Sequence, residues 1–293
     1  MVKHYQIAIN YPNASTIRQM VYHEWGKPDN PKVLICVHGL TRNGRDFDYL
    51  AQALMEDYRV ICPDIVGRGD SDWLTEPQQY GLPLYISDII TLCQRLSLTQ
   101  VDWIGTSMGG LIGMLIASQF PHLIRKLVLN DVGTFISQNF LVKIAKFFSE
   151  APRIFDNFEQ VLEYVRLVYA PFGELTDAQW QHLAIHSVKT IAPGKYRLHY
   201  DPNIAIAFQS QIYQEQNLDF GQYWVSVSCP VLLLHGEKSD LLTPEIIYSM
   251  QESYSQLQVA NIPNCGHAPA LMDTRQIELI KAWLNNLSLL KIF

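Results

Sequence analysis

The chain has 293 residues, of which 48% are hydrophobic and 17% are charged. This composition supplies enough apolar side chains for a buried core and excludes an intrinsically disordered chain. The formal net charge of −6, together with the lack of any run of Lys and Arg, argues against a nucleic acid partner.

Residues 1–13 lack the apolar stretch of a secretory signal, and no segment approaches the roughly 18 apolar residues that cross a bilayer. We therefore expect a cytoplasmic protein that does not bind membranes. The cysteines form no CxxC pair, and several of them lie in or beside apolar runs, which is typical of reduced, buried thiols. They are Cys36, Cys62, Cys93, Cys229 and Cys265.

From residue 32 onward, short apolar runs alternate with amphipathic stretches, a pattern that predicts an α/β fold with a mostly parallel central sheet flanked by helices. The predicted strands are residues 32–37, 58–62, 101–105, 126–130 and 230–235, and the predicted crossover helices are residues 46–56, 86–96 and 111–118. Residues 5–10 and 18–22 alternate more loosely, which favours an antiparallel hairpin at one edge of the sheet.

The alternation lapses over residues 135–223, where helical stretches follow one another without a buried strand. We interpret this segment as a helical lid inserted into a core made of residues 1–134 and 224–293. The segment is rich in aromatic residues, so we expect some of them to line a substrate pocket, although packing within the lid explains any single one.

A candidate nucleophile lies in Gly105-Thr106-Ser107-Met108-Gly109, which matches the motif G-x-S-x-G. The motif follows a predicted apolar strand and precedes a predicted apolar helix. A serine at such a turn adopts a strained backbone, and flanking glycines leave room for it. The free N–H groups at the start of the helix favour the negative charge of an acyl-transfer intermediate.

With this motif the chain resembles the α/β-hydrolase superfamily, in a form with a helical lid. The matching motifs are Val37-His38-Gly39-Leu40, residues 63–72 (PDIVGRGDSD), residues 105–109 around Ser107, residues 234–240 (LHGEKSD) and Gly266-His267. We call the sharp turn at residues 105–109 the elbow. The resemblance implies that the backbone N–H groups of Leu40 and Met108 form an oxyanion hole, and that residues 67–72 support the elbow loop.

His267 is the predicted general base. Its loop lies between a strand-like stretch and the helical stretch nearest the end of the sequence, and from there the side chain can reach over the carboxyl edge of the sheet. For the carboxylate that orients it, the order Ser, Asp, His favours Asp240. Asp131 is the alternative, since it ends the strand at 126–130, where some members of the superfamily place the acid. We expect His38 to brace the oxyanion loop and His235 to pack at the end of its strand.

His182 and His186 stand four residues apart on a predicted helix, but no carboxylate accompanies them in the pattern of a zinc protease. A solvated helix face is the preferred interpretation, and no metal is implied. Thr41 and Arg42 are candidates for contact with a polar group of the substrate, with a solvated surface arginine as the alternative for Arg42.

These residues predict a serine hydrolase that cleaves an ester or thioester of a small molecule with an apolar or aryl part, through an acyl-enzyme and without a cofactor. The alternatives are a carbon–carbon bond hydrolase or an acyltransferase that uses the same triad. A small-molecule receptor built on the hydrolase fold is a further alternative, which turnover of an activated ester, absent in a Ser107→Ala variant, would exclude.

Overall fold

The computed structural model describes residues 2–10, 17–206 and 216–287. Eight strands form the central sheet: β1 (Lys3–Asn10), β2 (Ile17–Trp25), β3 (Val33–Val37), β4 (Arg59–Pro63), β5 (Val101–Thr106), β6 (Ile124–Asn130), β11 (Val231–Gly236) and β12 (Gln258–Ile262). Their order is β1-β2-β4-β3-β5-β6-β11-β12. β1 pairs antiparallel with β2, and β2 with β4, whereas every later neighbour pairs in parallel. The predicted parallel sheet and its edge hairpin are confirmed.

Helices connect the strands and cover the sheet. They include α1 (Asp48–Leu54), α2 (Leu82–Arg95), α3 (Met108–Gln119), α4 (Gln138–Glu150), α5 (Phe158–Val168), α6 (Asp177–Ser187), α7 (Gly221–Trp224), α8 (Pro244–Ser253) and α9 (Thr274–Leu284). Short 3-10 turns occupy Gly44–Phe47, Pro77–Gln79 and Ala170–Phe172. Of the helices in the described ranges, none has the length and apolar character that crossing a membrane requires.

The core lies on both faces of the sheet, as the strand sequences require. In β3, Ile35 and its alternate neighbours pack on one face with Ile112 of α3, whereas Leu34 packs on the other face with Leu50 of α1 and Ile280 of α9. Because successive side chains of a strand point to opposite faces, a strand buried on both faces is a continuous apolar run. All five cysteines are buried and free, which confirms the prediction made from the apolar runs around Cys36, Cys62 and Cys229.

The chain between β6 and β11 contains the expected helices α4, α5 and α6. It also contains two short strand pairs that the sequence pattern does not predict. β7 (Phe135–Ile136) pairs with β10 (Leu218–Asp219), and β8 (Val188–Ala192) pairs with β9 (Lys195–Leu198). The pairing of β7 with β10 closes this segment at its base. Its division from the core as a lid domain over residues 135–223 stays a prediction.

Candidate active site

Ser107 lies at the sharp turn between β5 and α3. Its backbone has φ 52° and ψ −114°, a conformation that L-residues rarely adopt and that is found where the surrounding structure enforces it. The N–H of Ser107 donates to the carbonyl of Asn130 on the neighbouring strand, 3.0 Å away, and its own carbonyl accepts from Gly110 N–H at 2.8 Å. The turn therefore presents the Ser107 side chain at the carboxyl edge of the sheet.

Close backbone contacts explain the two glycines of the elbow motif. A Cβ at Gly105 would lie 2.2 Å from the carbonyl of Gly109, and a Cβ at Gly109 would lie 2.0 Å from the carbonyl oxygen of Val37. Real Cβ atoms do not approach backbone so closely, so α3 packs against β3 and β5 only with hydrogen at these positions. The spacing of the motif is thus a packing requirement of the strand, turn and helix.

His267 reaches Ser107 from the loop between β12 and α9. Its Nε2 lies 3.0 Å from Ser107 Oγ, and its Nδ1 lies 2.9 Å from Asp131 Oδ2. The side chain of Asn130 donates to the carbonyl of Pro269 at 2.9 Å and so ties the histidine loop to the end of β6. Phe140 of α4 meets the imidazole edge to face, with ring centroids 5.5 Å apart.

The carboxylate beside His267 belongs to Asp131, which follows β6 with a positive φ of 56° and is completely buried. Its Oδ1 accepts from Gly236 N–H at 2.8 Å, and its Oδ2 accepts from the hydroxyl of Ser239 at 2.6 Å as well as facing the imidazole. These donors hold the carboxylate in one orientation, which compensates for its burial.

The prediction that Asp240 orients the imidazole is therefore wrong. Asp240 is about half exposed and pairs with Lys143 Nζ of α4 at 2.6 Å. The turn after β11 separates it from the histidine, because Ser239 Oγ faces Asp131 and also accepts from the N–H of Leu242 at 3.1 Å. The loop after β11 thus contributes the hydroxyl of Ser239 to the buried carboxylate of Asp131. The next side chain, that of Asp240, lines the cavity beside Ser107 instead.

The loop after β3 holds Leu40, one of the two residues predicted to supply oxyanion N–H groups. The carbonyl of Gly39 accepts from His38 Nδ1 at 2.7 Å and from Arg42 N–H at 3.2 Å. Since the peptide group is planar and trans, fixing that carbonyl also fixes the direction of the Leu40 N–H. The carbonyl of Leu40 accepts from Arg68 Nε at 2.8 Å.

His38 braces this loop in its neutral form. Its Nε2 accepts from Ile65 N–H at 3.0 Å, so the proton resides on Nδ1, which donates to Gly39. Burial lowers the pKa of His38 from its ordinary 6.5 to about 4. Arg68, fully buried, brings the loop together with the other predicted donor, because one of its NH groups lies 3.6 Å from Met108 Sδ.

Thr41 and Arg42 both line a cavity beside Ser107. Arg42 is not a solvated surface residue: it is buried, it binds Asp46 with two nitrogens, and its guanidinium lies 4.5 Å from the centre of the Tyr169 ring. Although burial opposes it, the charge of Asp46 raises the pKa of Arg42 above its ordinary value. Thr41 Oγ1 lies 3.4 Å from the hydroxyl of Tyr169.

His182 and His186 lie together on α6, with ring centroids 4.5 Å apart, and both are partly buried. The structure adds a carboxylate that the sequence spacing did not reveal, because Asp48 at the start of α1 approaches this pair. Arg45 binds the same carboxylate through Nε at 2.9 Å. Burial and the charge of Arg45 lower the pKa of His186 to about 3. The positive charge of Arg45 likewise disfavours the binding of a metal ion between Asp48 and the two histidines.

His235 packs at the end of β11, as expected, with Nδ1 2.9 Å from Asn261 Oδ1.

Two cavities meet at Ser107. The histidine-side cavity, of about 270 Å³, is the one that His267 lines. The oxyanion-side cavity, of about 250 Å³, is lined by Met108 instead of His267. Phe140 belongs to the walls of both. The serine hydroxyl therefore lies where two parts of one substrate can extend in different directions.

The chain resembles known hydrolases over most of its length. The family model of the alpha/beta hydrolase fold matches residues 32–273. The 3-hydroxybutyrate-oligomer hydrolase of Cupriavidus necator is 41% identical over 269 residues, which cover 90% of this chain and 92% of that protein.

Solved structures agree with the sequence comparison. A crystal structure from Rickettsia typhi superposes with a TM-score of 0.89 at 32% identity, covering 98% of this chain and all of that one. An alpha/beta hydrolase from Novosphingobium aromaticivorans gives a TM-score of 0.84 at 29% identity, covering 98% and 99% of the two chains. This protein is therefore a hydrolase that belongs to the α/β-hydrolase family.

Proposed function

We propose that the protein is a serine hydrolase that cleaves carboxylic esters through an acyl-enzyme, with Ser107 as nucleophile, His267 as general base and Asp131 as the orienting carboxylate. The observation that carries the proposal is the continuous chain of contacts from Ser107 Oγ through both nitrogens of His267 to Asp131. A nucleophile, a base within hydrogen-bond reach and a third group that orients the base are the arrangement that acyl transfer requires.

In the first half of the reaction, Ser107 Oγ attacks the ester carbonyl carbon while its proton moves to His267 Nε2. The charge that develops on the carbonyl oxygen is stabilised by the N–H groups of Leu40 and Met108, the second of which begins α3. Asp131 stabilises the imidazolium, because its buried carboxylate faces Nδ1. Collapse of the intermediate breaks the carbon–oxygen bond, and the proton on Nε2 passes to the departing alkoxide.

In the second half, His267 takes a proton from water, and the resulting hydroxide attacks the acyl carbon bound to Ser107. Collapse returns the proton from Nε2 to Ser107 Oγ and releases the carboxylic acid. The free enzyme is thus regenerated without any other reactant.

The substrate class follows from the walls of the site and from the similarity to the Cupriavidus necator enzyme. The oxyanion-side cavity is mostly apolar, with Leu111, Leu141 and Phe220 among its walls, and suits a short aliphatic acyl group. Esters of short hydroxy acids, such as 3-hydroxybutyrate oligomers, are therefore the first substrates that we propose.

The test compares Ser107→Ala with the wild type on p-nitrophenyl butyrate and on the linear 3-hydroxybutyrate dimer. We expect kcat to fall by at least about 10⁴ in the variant, and a fluorophosphonate probe to add its mass to Ser107 in the wild type alone. Ser118→Ala is the matched control, since Ser118 lies in the last turn of the same helix and its hydroxyl donates to the carbonyl of Leu115, within that helix. Full activity of Ser107→Ala would exclude the proposed nucleophile.

A further inference from the structure

The chemistry of the proposed reaction gives the two cavities different tasks, so the inference rests on that proposed function. The imidazolium of His267 must deliver its proton to the oxygen of the departing alcohol. The departing alcohol therefore lies on the side of the imidazole, in the histidine-side cavity. With the alcohol on that side and the carbonyl oxygen facing the N–H groups of Leu40 and Met108, the oxyanion-side cavity is left for the acyl chain.

Charge distinguishes the cavities in the same way. In the described part of the chain, the residues that line the oxyanion-side cavity include no charged side chain. The histidine-side cavity is lined by two ion pairs, Arg42 with Asp46 and Lys143 with Asp240. Among the described residues, cationic side chains line the cavity that receives the alcohol and not the other one, so an anionic part of a substrate is better stabilised there.

The two ion pairs differ in burial and in the number of contacts that hold them. Arg42 is 4% exposed, binds Asp46 through Nε and a terminal nitrogen, and lies against Tyr169, so its interactions are fixed within the protein. Lys143 meets Asp240 through a single contact of 2.6 Å, and their side chains are 61% and 51% exposed. Such an exposed pair is weak, because water screens it and both side chains lose freedom when they form it.

Lys143 lies on the face of α4 that lines the histidine-side cavity. Phe140, Ile144 and Phe147 line the same cavity and share one helical face with it, since residues three and four apart are neighbours on a helix. Three apolar side chains of this face cover the site, and Lys143 is the cation among them. Lys146, on the same helix, pairs with Glu150 instead and lines neither cavity.

We propose that Lys143 binds a free carboxylate on the alcohol part of the substrate, and that this carboxylate replaces Asp240 as its partner. The preferred substrates are then esters between two hydroxy acids in which the departing unit carries the acid terminus. In a 3-hydroxybutyrate dimer, only the ester oxygen and two carbons separate the scissile carbonyl from that carboxylate. The enzyme therefore releases the unit at the acid end of an oligomer, while the part with the free hydroxyl lies in the oxyanion-side cavity.

The experiment uses the 3-hydroxybutyrate dimer as the free acid and as its methyl ester, which has the same scissile bond without the negative charge. For Lys143→Met we expect KM for the free acid to rise by at least about tenfold, with kcat and the constants for the methyl ester within about twofold of the wild type. Lys146→Met is the matched control, and we expect it to leave both substrates unchanged.

A second variant tests the exchange from the other side. Asp240→Asn removes the competing carboxylate, so KM for the free acid should fall by a few fold while the methyl ester is unaffected. Salt gives an independent readout, because added ions screen an exposed contact: KM for the free acid should rise with ionic strength in the wild type and stay flat in Lys143→Met.

The inference is overturned if Lys143→Met raises KM equally for the free acid and the methyl ester, or changes neither. That failure differs from a failure of the proposed function, in which the wild type cleaves neither dimer or Ser107→Ala stays active. If the wild type cleaves both dimers through Ser107 but does not distinguish them, the serine mechanism stands and the carboxylate site at Lys143 is wrong.

Discussion

Asp131 Oδ2 lies 2.9 Å from His267 Nδ1 although 136 positions of the chain separate the two residues. The contact arises because Asp131 directly follows β6, an inner strand of the sheet, while His267 extends over the carboxyl edge from the loop after β12. Gly236, at the end of the strand between them, and Ser239, in the turn that follows it, donate to the same carboxylate. The orientation of the imidazole therefore depends on three neighbouring strands at once.

The role of Asp131 predicts a large loss of activity in Asp131→Asn. Asparagine keeps the shape and can still accept from Gly236, but it offers N–H rather than negative charge to the imidazolium. We expect kcat on an uncharged ester to fall by about 10⁴, the size of the loss when the aspartate of a serine protease triad is replaced by asparagine. Asp240→Asn is the control, with kcat within about tenfold of the wild type. Circular dichroism and thermal melting would show whether both variants are folded.

The opposite ranking, an inactive Asp240→Asn and an active Asp131→Asn, would contradict this assignment.

The elbow glycines predict a strong effect on stability. Gly105→Ala places a methyl group 2.2 Å from the Gly109 carbonyl, so α3 must move away from β5. We expect the free energy of unfolding to fall by at least about 3 kcal/mol, measured by urea denaturation. In Gly81→Ala the added Cβ meets nothing closer than Pro83 Cδ at 3.7 Å, and we expect a change below about 1 kcal/mol. Equal stabilities of the two variants would show that the elbow tolerates the methyl group.

The neutral, buried His38 predicts a loss of stability in mild acid. In the folded state its pKa is about 4, whereas the unfolded chain binds the proton near the ordinary 6.5. Because the unfolded state binds more protons between these values, stability is fully present above pH 6.5 and falls as the pH decreases towards 4. At about 1.4 kcal/mol for each unit of pKa difference, the contribution lost between pH 7 and pH 5 is about 2 kcal/mol.

The measurement compares the free energy of unfolding of the wild type and His38→Asn at pH 7 and pH 5. Asparagine keeps a donor for the Gly39 carbonyl but does not titrate. The free energy of unfolding of His38→Asn should therefore decrease less than that of the wild type between pH 7 and pH 5. The comparison between the two proteins is needed because Asp64 also responds to acid: although burial opposes it, the neighbouring His23 and hydrogen bonds from the backbone lower the pKa of Asp64. An identical decrease in both proteins would show that His38 makes no contribution.

We expect Phe140 to influence which substrates are selected, because it lines both cavities and meets the imidazole of His267 edge to face. In Phe140→Ala the cavities merge, and we expect the ratio of kcat/KM for p-nitrophenyl octanoate to that for the butyrate to rise by about tenfold. Phe158→Ala is the control, since Phe158 belongs to the same inserted segment but packs against Tyr196 and lines neither cavity. An unchanged ratio in Phe140→Ala would place chain-length selection elsewhere.

The sequence by itself determined the features that depend on neighbouring residues. The elbow at Ser107 was predictable because strand, turn and helix are contiguous, and because the close approach of backbones requires glycine at Gly105 and Gly109. The parallel sheet was predictable because strands buried on both faces are continuous apolar runs. The short pair of β7 and β10 that closes the inserted segment was not, since two-residue strands have no periodicity to recognise.

The tertiary structure decided which carboxylate faces His267 and which side chains open onto the site. β6 and β11 are neighbours in the sheet, so Asp131 and the loop of Asp240 both reach the same edge. The choice between them depends on where each side chain points after its strand, which a left-handed backbone at Asp131 and the turn at Ser239 settle. The contact of Lys143 with Asp240, across 97 positions, likewise exists only because the packing of the inserted segment brings α4 over the sheet.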